Sequence, residues 1–411
     1  MSDPLKEFSW GELLDPIKSS VDMRDDALFP LASIRRRNGG FFHRETKLGR
    51  EILTKTLSKA VSGSFAISRM QVVHGACSYV PESFGETFLS ASYTQFQAKN
   101  PPRIDTKYLH YYAHSRESYS AFLKSSHGVH IEKMTFDLKD WLRQKVSLPP
   151  LPEQKKITSI LTSVDDVIET TQKQIDKLQD LKKATMNELL TKGIGHTEFK
   201  DSELGRIPKS WEVKRLGDLL ELKNGINTDK DAFGSGFPFI TYKDVHSGDD
   251  LNETSLTKFV KLSSKEHTAF SVNFGDIFFT RTSETPEEIG LSNTYLGKNI
   301  GAVFNGFCIR GRPKTKLLSA KISKYLFRSD YVRTQMKFLC KYTTRAGISG
   351  ESLNRCLIAL PSMIDQHLFE NILINIDKNI WINVRKLAQT QSLKKSLMQD
   401  LLTGKVRVQV H

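Results

Sequence analysis

The sequence predicts an α+β chain. Two basic α/β modules are separated by two long antiparallel coiled-coil helices, and the whole is a pseudo-twofold tandem repeat. Three observations carry this reading. "LKKATMNELLTKG", starting at Leu181, returns as "LKKSLMQDLLTGK", starting at Leu393, an offset of 212 residues. Ahead of each copy, apolar residues recur at alternating spacings of four and three, the seam of a coiled coil. Ahead of each seam lies a basic stretch whose β-branched and aromatic runs are bounded by glycine and proline.

The first module, residues 1–147, holds 21 Lys and Arg against 16 Asp and Glu. Its densest basic run is "RRRN", Arg35 to Asn38, followed by Gly39 and Gly40, a loop signal. The helical segment 148–195 opens on "LPPLPEQ", and proline is tolerated in a first helical turn. Its seam runs through Ile157, Leu161, Val164, Ile168, Thr171, Ile175 and Leu178, and Gly193 is a natural stop. Residues 196–359 are a polar connector and a second module. Within it, residues 206–359 hold 24 basic against 16 acidic side chains. "FPFITYKDV", "GDIFFTR" and "AVFNGFCIR" read as strands, and "SAKISKYLFRSDYVRTQMKFLCKY" as helix with a basic outer face. The last segment, 360–411, repeats the helix from "LPSMIDQ" to Gly404, with a seam of Phe369, Leu373, Ile376, Ile380, Asn383, Leu387 and Thr390.

The repeat extends into the modules. The 212-residue offset lays "GSFAISR" (Gly63 to Arg69) over "GDIFFTR" (Gly275 to Arg281), and runs without a gap from Leu148 to Thr191. "WGELL" at Trp10 resembles "LGDLL" at Leu216, and "FPLASIR" at Phe29 resembles "FPFITYK" at Phe237. Ordered matches of this kind mark duplication. Helices of equal length and register are expected to pair with each other through Leu161, Ile168, Thr171 and Ile175 against Leu373, Ile380, Asn383 and Leu387. Thr171 and Asn383, the polar pair, lie near the helix centres, where hydrogen bonding would fix register.

The formal charge of +14 suggests a polyanionic partner. Cys77, Cys308, Cys340 and Cys356 form no CxxC pair and read as reduced thiols of a cytoplasmic protein. No apolar run is long enough to span a membrane, and the N-terminus has no secretory pattern. Catalytic motifs are absent from the sequence. "NPPR" at Asn100 lacks the aromatic residue that stacks a flipped adenine, and reads as a proline turn. There is no GxxxxGK[ST] phosphate loop. His110 and His114 of "HYYAH" lack an HExxH glutamate and read as a solvated helix face, so no metal site is expected.

These residues resemble the specificity subunit of type I restriction–modification enzymes. The resemblance rests on "LPPLPEQ", "LKKATMNELLTKGI", their second copies, and "GRIPKSWEVKRLGDLLELKNG", and it covers essentially the whole chain. It implies that the modules are target-recognition domains, each reading one half of a split double-stranded DNA site. It implies that the helices set the spacer and that methyltransferase subunits, usually two, dock on them. Restriction subunits would complete the complex. The chain itself would be non-catalytic and hold no cofactor. S-adenosylmethionine would belong to the methyltransferase partner, and ATP and Mg to the restriction partner. Two duplicated readers on one duplex suit antiparallel, pseudo-twofold helices.

Phosphate contacts supply affinity, and base-edge contacts from Arg or Asn supply sequence. Candidate DNA-binding residues are Arg35, Arg36, Arg37 and Asn38, then Arg69 with its counterpart Arg281, and Lys243, the counterpart of Arg35. Lys341 and Arg345 of "CKYTTRAGIS", and Lys124 of "KSSHG" at the matching place, complete the set. Two alternatives are a single-chain DNA-modifying enzyme and a coiled-coil interaction protein without a DNA role. The missing catalytic motifs argue against the first, and the paired basic excess against the second.

Overall fold

The computed structural model describes residues 4–410 apart from 55 and 343. The chain forms two compact units, Met1–Gln172 with Val384–His411, and Lys173–Asn383. The two long helices, Leu151–Lys192 and Met363–Leu402, each begin in one unit and end in the other. The helical segments 148–195 and 360–411 are thus each shared between the two units. Their apolar ends are built into the modules. Ile157, Leu161, Leu401 and Leu402 are buried in the first core, and Met186, Leu189, Leu190, Phe369 and Leu373 in the second. The helices stop where glycine takes up a left-handed backbone, at Gly193 (φ 67°) and Gly404 (φ 71°).

In the first unit a four-stranded antiparallel sheet runs in the order Leu14–Ile17, Tyr93–Ala98, Phe65–Ser68, Cys77–Tyr79. Helices Thr106–Tyr112 and Arg116–Lys124 follow it in sequence. Trp141 stacks on Trp10 with ring centroids 5.1 Å apart, and Phe96 and Phe122 pack on it. A second sheet of five strands carries the hairpin Leu28–Ile34 and Phe41–Leu48.

The second unit repeats the four-stranded plan as Leu220–Asn224, Cys308–Pro313, Ile277–Thr280, Ser292–Thr294. A three-stranded sheet of Phe259–Val260, Phe233–Ile240 and Val303–Phe304 repeats the parallel step: Phe239 and Ile240 pair with Val303 and Phe304, as Leu31 pairs with Phe88 in the first unit. "FPFITYKDV" is strand only as far as Ile240. Thr241 and Asp244 form a capping box that starts the helix Tyr242–Ser247. "SAKISKYLFRSDYVRTQMKFLCKY" is two helices, Ala320–Leu326 and Asp330–Phe338, separated at Phe327–Ser329.

Within each unit the two helices run antiparallel, and one set of contacts holds both pairs. In the first unit Tyr111 Oη donates to Asp165 (2.8 Å), and Asp165 pairs with Lys394 (2.6 Å). In the second, Tyr325 Oη donates to Asp377 (2.7 Å), and Asp377 pairs with Lys182 (2.6 Å). The starting motifs also have a visible role. The buried Gln154 accepts from the Asp105 N–H and donates to the carbonyls of Arg103 and Pro149. Gln366 repeats this with Ser319, Leu317 and Pro361. "LPSMIDQ" thus clamps its module as "LPPLPEQ" does. The preceding acids are also equivalent. Glu153 binds Arg407, and Asp365 accepts from His196 (3.2 Å) and from the buried Trp211 Nε1 (2.8 Å). Each acid thereby fastens the segment that follows the other long helix.

Among the seam residues, Leu161, Thr171, Ile175 and Leu373 are buried, whereas Ile168, Ile380, Asn383 and Leu387 are half-buried. The Asn383 amide donates to the Asn379 carbonyl of its own helix (2.9 Å).

Candidate nucleic-acid interface

Arg35–Asn38 form the turn of the Leu28–Ile34 and Phe41–Leu48 hairpin, with the three arginine side chains exposed. Arg37 and Asn38 both have left-handed backbone, φ 56° and 58°. Consecutive non-glycine residues in that region are strained, at about 1–3 kcal/mol each, and persist only when their surroundings hold them. Here the Arg37 N–H donates to the His74 carbonyl (2.6 Å) and the Asn38 N–H to the Gly75 carbonyl (3.1 Å). Gly75 is needed for this approach, because a Cβ there would stand 2.5 Å from Asn38 Oδ1. Arg35 lies 4.2 Å over the Phe42 ring, and Arg36 reaches Glu132 at 3.3 Å.

Arg69 and Arg281 follow the third-ordered strand of their sheets and make the same backbone contacts. Their N–H groups donate to Ser92 and Phe307, and their carbonyls accept from Phe136 and Ile348. The Arg69 guanidinium reaches the Ala91 carbonyl (2.6 Å), and the Arg281 guanidinium the Gly306 carbonyl (3.3 Å). In the first unit Lys124 is exposed at the end of its helix, just before the Ser126–His127 strand that pairs with Thr135–Phe136. In the second, Thr282–Ser283, Ala346–Gly347 and Lys341–Tyr342 form one small sheet. That sheet brings Arg281 together with Lys341 and Arg345, and Arg345 pairs with Glu284 at 3.1 Å. Lys243 is exposed in the helix Tyr242–Ser247. It aligns with Arg35 in sequence, but a hairpin turn holds one and a helix the other.

Each unit has a cleft beside these residues that sequence reasoning missed. In the first, Arg36, Arg37 and Asn38 meet His74, His114, Arg116 and Tyr119 around about 740 Å³. In the second, Phe233, Phe259 and Phe307 expose their rings over a cleft of about 630 Å³ that includes Asn305 and Lys258. The glycines of "FGSGF" were the available signal: Gly234 and Gly236 have φ of 108° and 103°. No local pattern marks His74 or Arg116.

Two expectations are corrected. His110 and His114 are not a solvated face. Their rings lie 4.8 Å apart, and His110 Nδ1 faces the Tyr79 N–H at 3.4 Å. Burial, aided by the charge of Lys394, pushes His110 down to about 4. Burial and the neighbouring His110 push His114 down to about 3. The basic face of "SAKISKYLFRSDYVRTQMKFLCKY" is also partly internal. Arg328 donates to the carbonyls of Val245 (2.9 Å) and His246 (3.0 Å), and Arg333 to those of Ile289 and Glu287. Desolvation lowers Arg333 to about 10. These arginines tie loops to the core, because buried backbone carbonyls need donors. Among the described residues no group of three or more His, Cys, Asp or Glu could hold a metal ion.

The duplicated fold thus sets Arg69 and Arg281 at corresponding places, with further basic side chains near each. The chain belongs to the family described as type I restriction modification DNA specificity domain, which matches residues 29–180 and 208–391. It is 30% identical over 354 residues to the type I restriction enzyme MjaVIII specificity subunit of Methanocaldococcus jannaschii, covering 78% of this chain and 74% of that protein. It is 24% identical over 328 residues to the MjaIX specificity subunit of the same organism, covering 74% and 70%. Two solved structures share the fold. One is a chain from a type I R-M system studied for complex assembly, with a TM-score of 0.59, 14% identity and 97% of each chain covered. The other is the type I restriction–modification S subunit from M. genitalium, with a TM-score of 0.58, 12% identity, and 99% and 97% covered. The chain is thus a sequence-recognition subunit of a type I restriction–modification system. No helix among the described residues is long and apolar enough to cross a membrane.

Proposed function

We propose that each module reads one half of a split double-stranded DNA target, and that the two long helices set the spacer and dock methyltransferase subunits, two per chain. Restriction subunits join the same assembly in the cytoplasm. This chain contributes recognition and no bond-making chemistry. S-adenosylmethionine sits in the methyltransferase partner, and ATP and Mg in the restriction partner. The observation that carries this reading is the repeated placement of Arg69 and Arg281, with the same backbone contacts, beside Lys124 in one module and Lys341 and Arg345 in the other. A relative studied as part of a type I R-M complex supports the partner classes.

Arg35, Arg36 and Arg37 provide the test. Their joint replacement by alanine is expected to weaken duplex binding and to flatten its salt dependence. Each lost phosphate contact lowers the log–log slope by about 0.9. Fluorescence anisotropy across a salt series measures this, and an unchanged slope would remove these arginines from the DNA.

A further inference from the structure

We propose that the cleft under the Arg35–Asn38 turn is a phosphate site filled by the DNA backbone, and that Glu132 occupies it until DNA arrives. This inference rests on the DNA-reading function proposed above and assigns that surface a second set of contacts. The cleft gathers positive charge from two separate stretches, Arg36 and Arg37 of the hairpin turn and Arg116 at the start of a helix, and adds the His74 imidazole from the segment after the Phe65–Ser68 strand. Ser115 and Arg116 place the N-terminus of the Arg116–Lys124 helix, with its positive dipole end, on the cleft, where the Ser115 side chain caps the Ser118 N–H. Glu132 is the acidic side chain on the wall, so the lining is net positive.

Two polar atoms here are buried without a hydrogen-bond partner: His114 Nε2 and Asn38 Oδ1. Such atoms are rare in a finished site, and two on one cleft point to a polar ligand. The imidazoles can each present an N–H to a phosphate oxygen. The Asn38 amide presents a donor or an acceptor according to its orientation. The strained turn is held open over the cleft by its own bonds to His74 and Gly75, so the arginines are positioned before any ligand binds.

Glu132 identifies the ligand class. Its carboxylate stands 3.3 Å from the Arg36 guanidinium and 3.5 Å from His74 Nε2, an anion already seated between two side chains of the cleft. It lies in the exposed connection between the Ser126–His127 and Thr135–Phe136 strands, and its side chain is 60% exposed. An exposed pair of this kind is worth about 0–1 kcal/mol and is easily exchanged for a stronger anion. A phosphodiester offers the same oxyanion with bidentate geometry for arginine. Backbone phosphates adjoining the Arg35–Arg37 contacts are the ones within reach.

The test uses the full chain and a labelled duplex, with dissociation constants measured over a salt series for wild type, Arg116→Ala and Glu132→Gln. Both changes are at exposed positions, and circular dichroism checks that the fold is kept. Arg116→Ala is expected to lower the log–log slope by about 0.9. Glu132→Gln is expected to tighten binding about two- to fivefold, because the competing carboxylate is gone. Calorimetry with inorganic phosphate should show no saturable binding in the millimolar range. Saturable binding that Arg116→Ala abolishes would assign the cleft to a free anion and overturn the proposal. Wild-type slope and affinity in both variants would overturn it too. A wild-type chain with no salt-dependent binding would instead remove the functional reading beneath it.

Discussion

Arg407→Ala is expected to destabilise the first unit by about 3–5 kcal/mol, because it strands a buried carboxylate. Glu153 is 3% exposed and accepts from Arg407 Nε (2.8 Å), Arg407 Nη2 (2.6 Å) and the Val408 N–H (3.0 Å). The hydrogen bonds from Arg407 hold its carboxyl below the usual carboxylate range. Its stabilising contribution is therefore present above the unfolded pKa and is lost as pH falls through the lowered folded value. Without Arg407, desolvation should raise the same carboxyl. The sign then reverses, and the variant loses stability as pH rises through the carboxylate range. Denaturant unfolding of wild type and variant at pH 4 and pH 7 measures both effects. A loss under 1 kcal/mol at pH 7 would show that the tail does not need this pair. Glu153→Gln combined with Arg407→Ala should recover part of the loss, since no charge is left buried.

The second large effect concerns the helices. Each is continuous, 42 residues in one case and 40 in the other. If their length sets the spacer, a seven-residue insertion in both, after Gln172 and after Asn383, should lengthen it. Seven residues preserve a seam of period 3.5 and add about 10 Å, close to three base-pair steps. Methylation of the native site should fall to background, while the same half-sites with about three more intervening base pairs become modified. Placing the insertions there leaves Asp165–Lys394 and Lys182–Asp377 intact. Unchanged spacer preference would show that something other than helix length sets it.

The parts of this fold written in local pattern were legible. A seam of period 3.5 and a glycine stop are one-dimensional signals, and the two helices end beside Gly193 and Gly404. The duplication was legible because it left equal offsets. Neighbours across the fold were not. "LPPLPEQ" and "LPSMIDQ" could be matched, but the role of Gln154 and Gln366 depends on carbonyls about 50 residues upstream in the chain. Thr241 and Asp244 turned a strand-like run into a helix through a capping box that aromatic content obscured. His110 and His114 stand at the helical spacing of an exposed stripe, yet the helix lies against the sheet edge at Tyr79 and, through Tyr111, against the first long helix. The basic run Arg35–Arg37 was visible, whereas the cleft below it is made by His74 and Arg116, which only the folded chain brings near.

Exchange of residues 1–147 for the corresponding module of another family member, followed by genome-wide mapping of methylated adenines, tests the central claim most directly. If each duplicated module reads its own half-site, one half of the modified sequence changes, and the other half and the spacer stay as they were. A change in both halves, or in neither, would contradict the account.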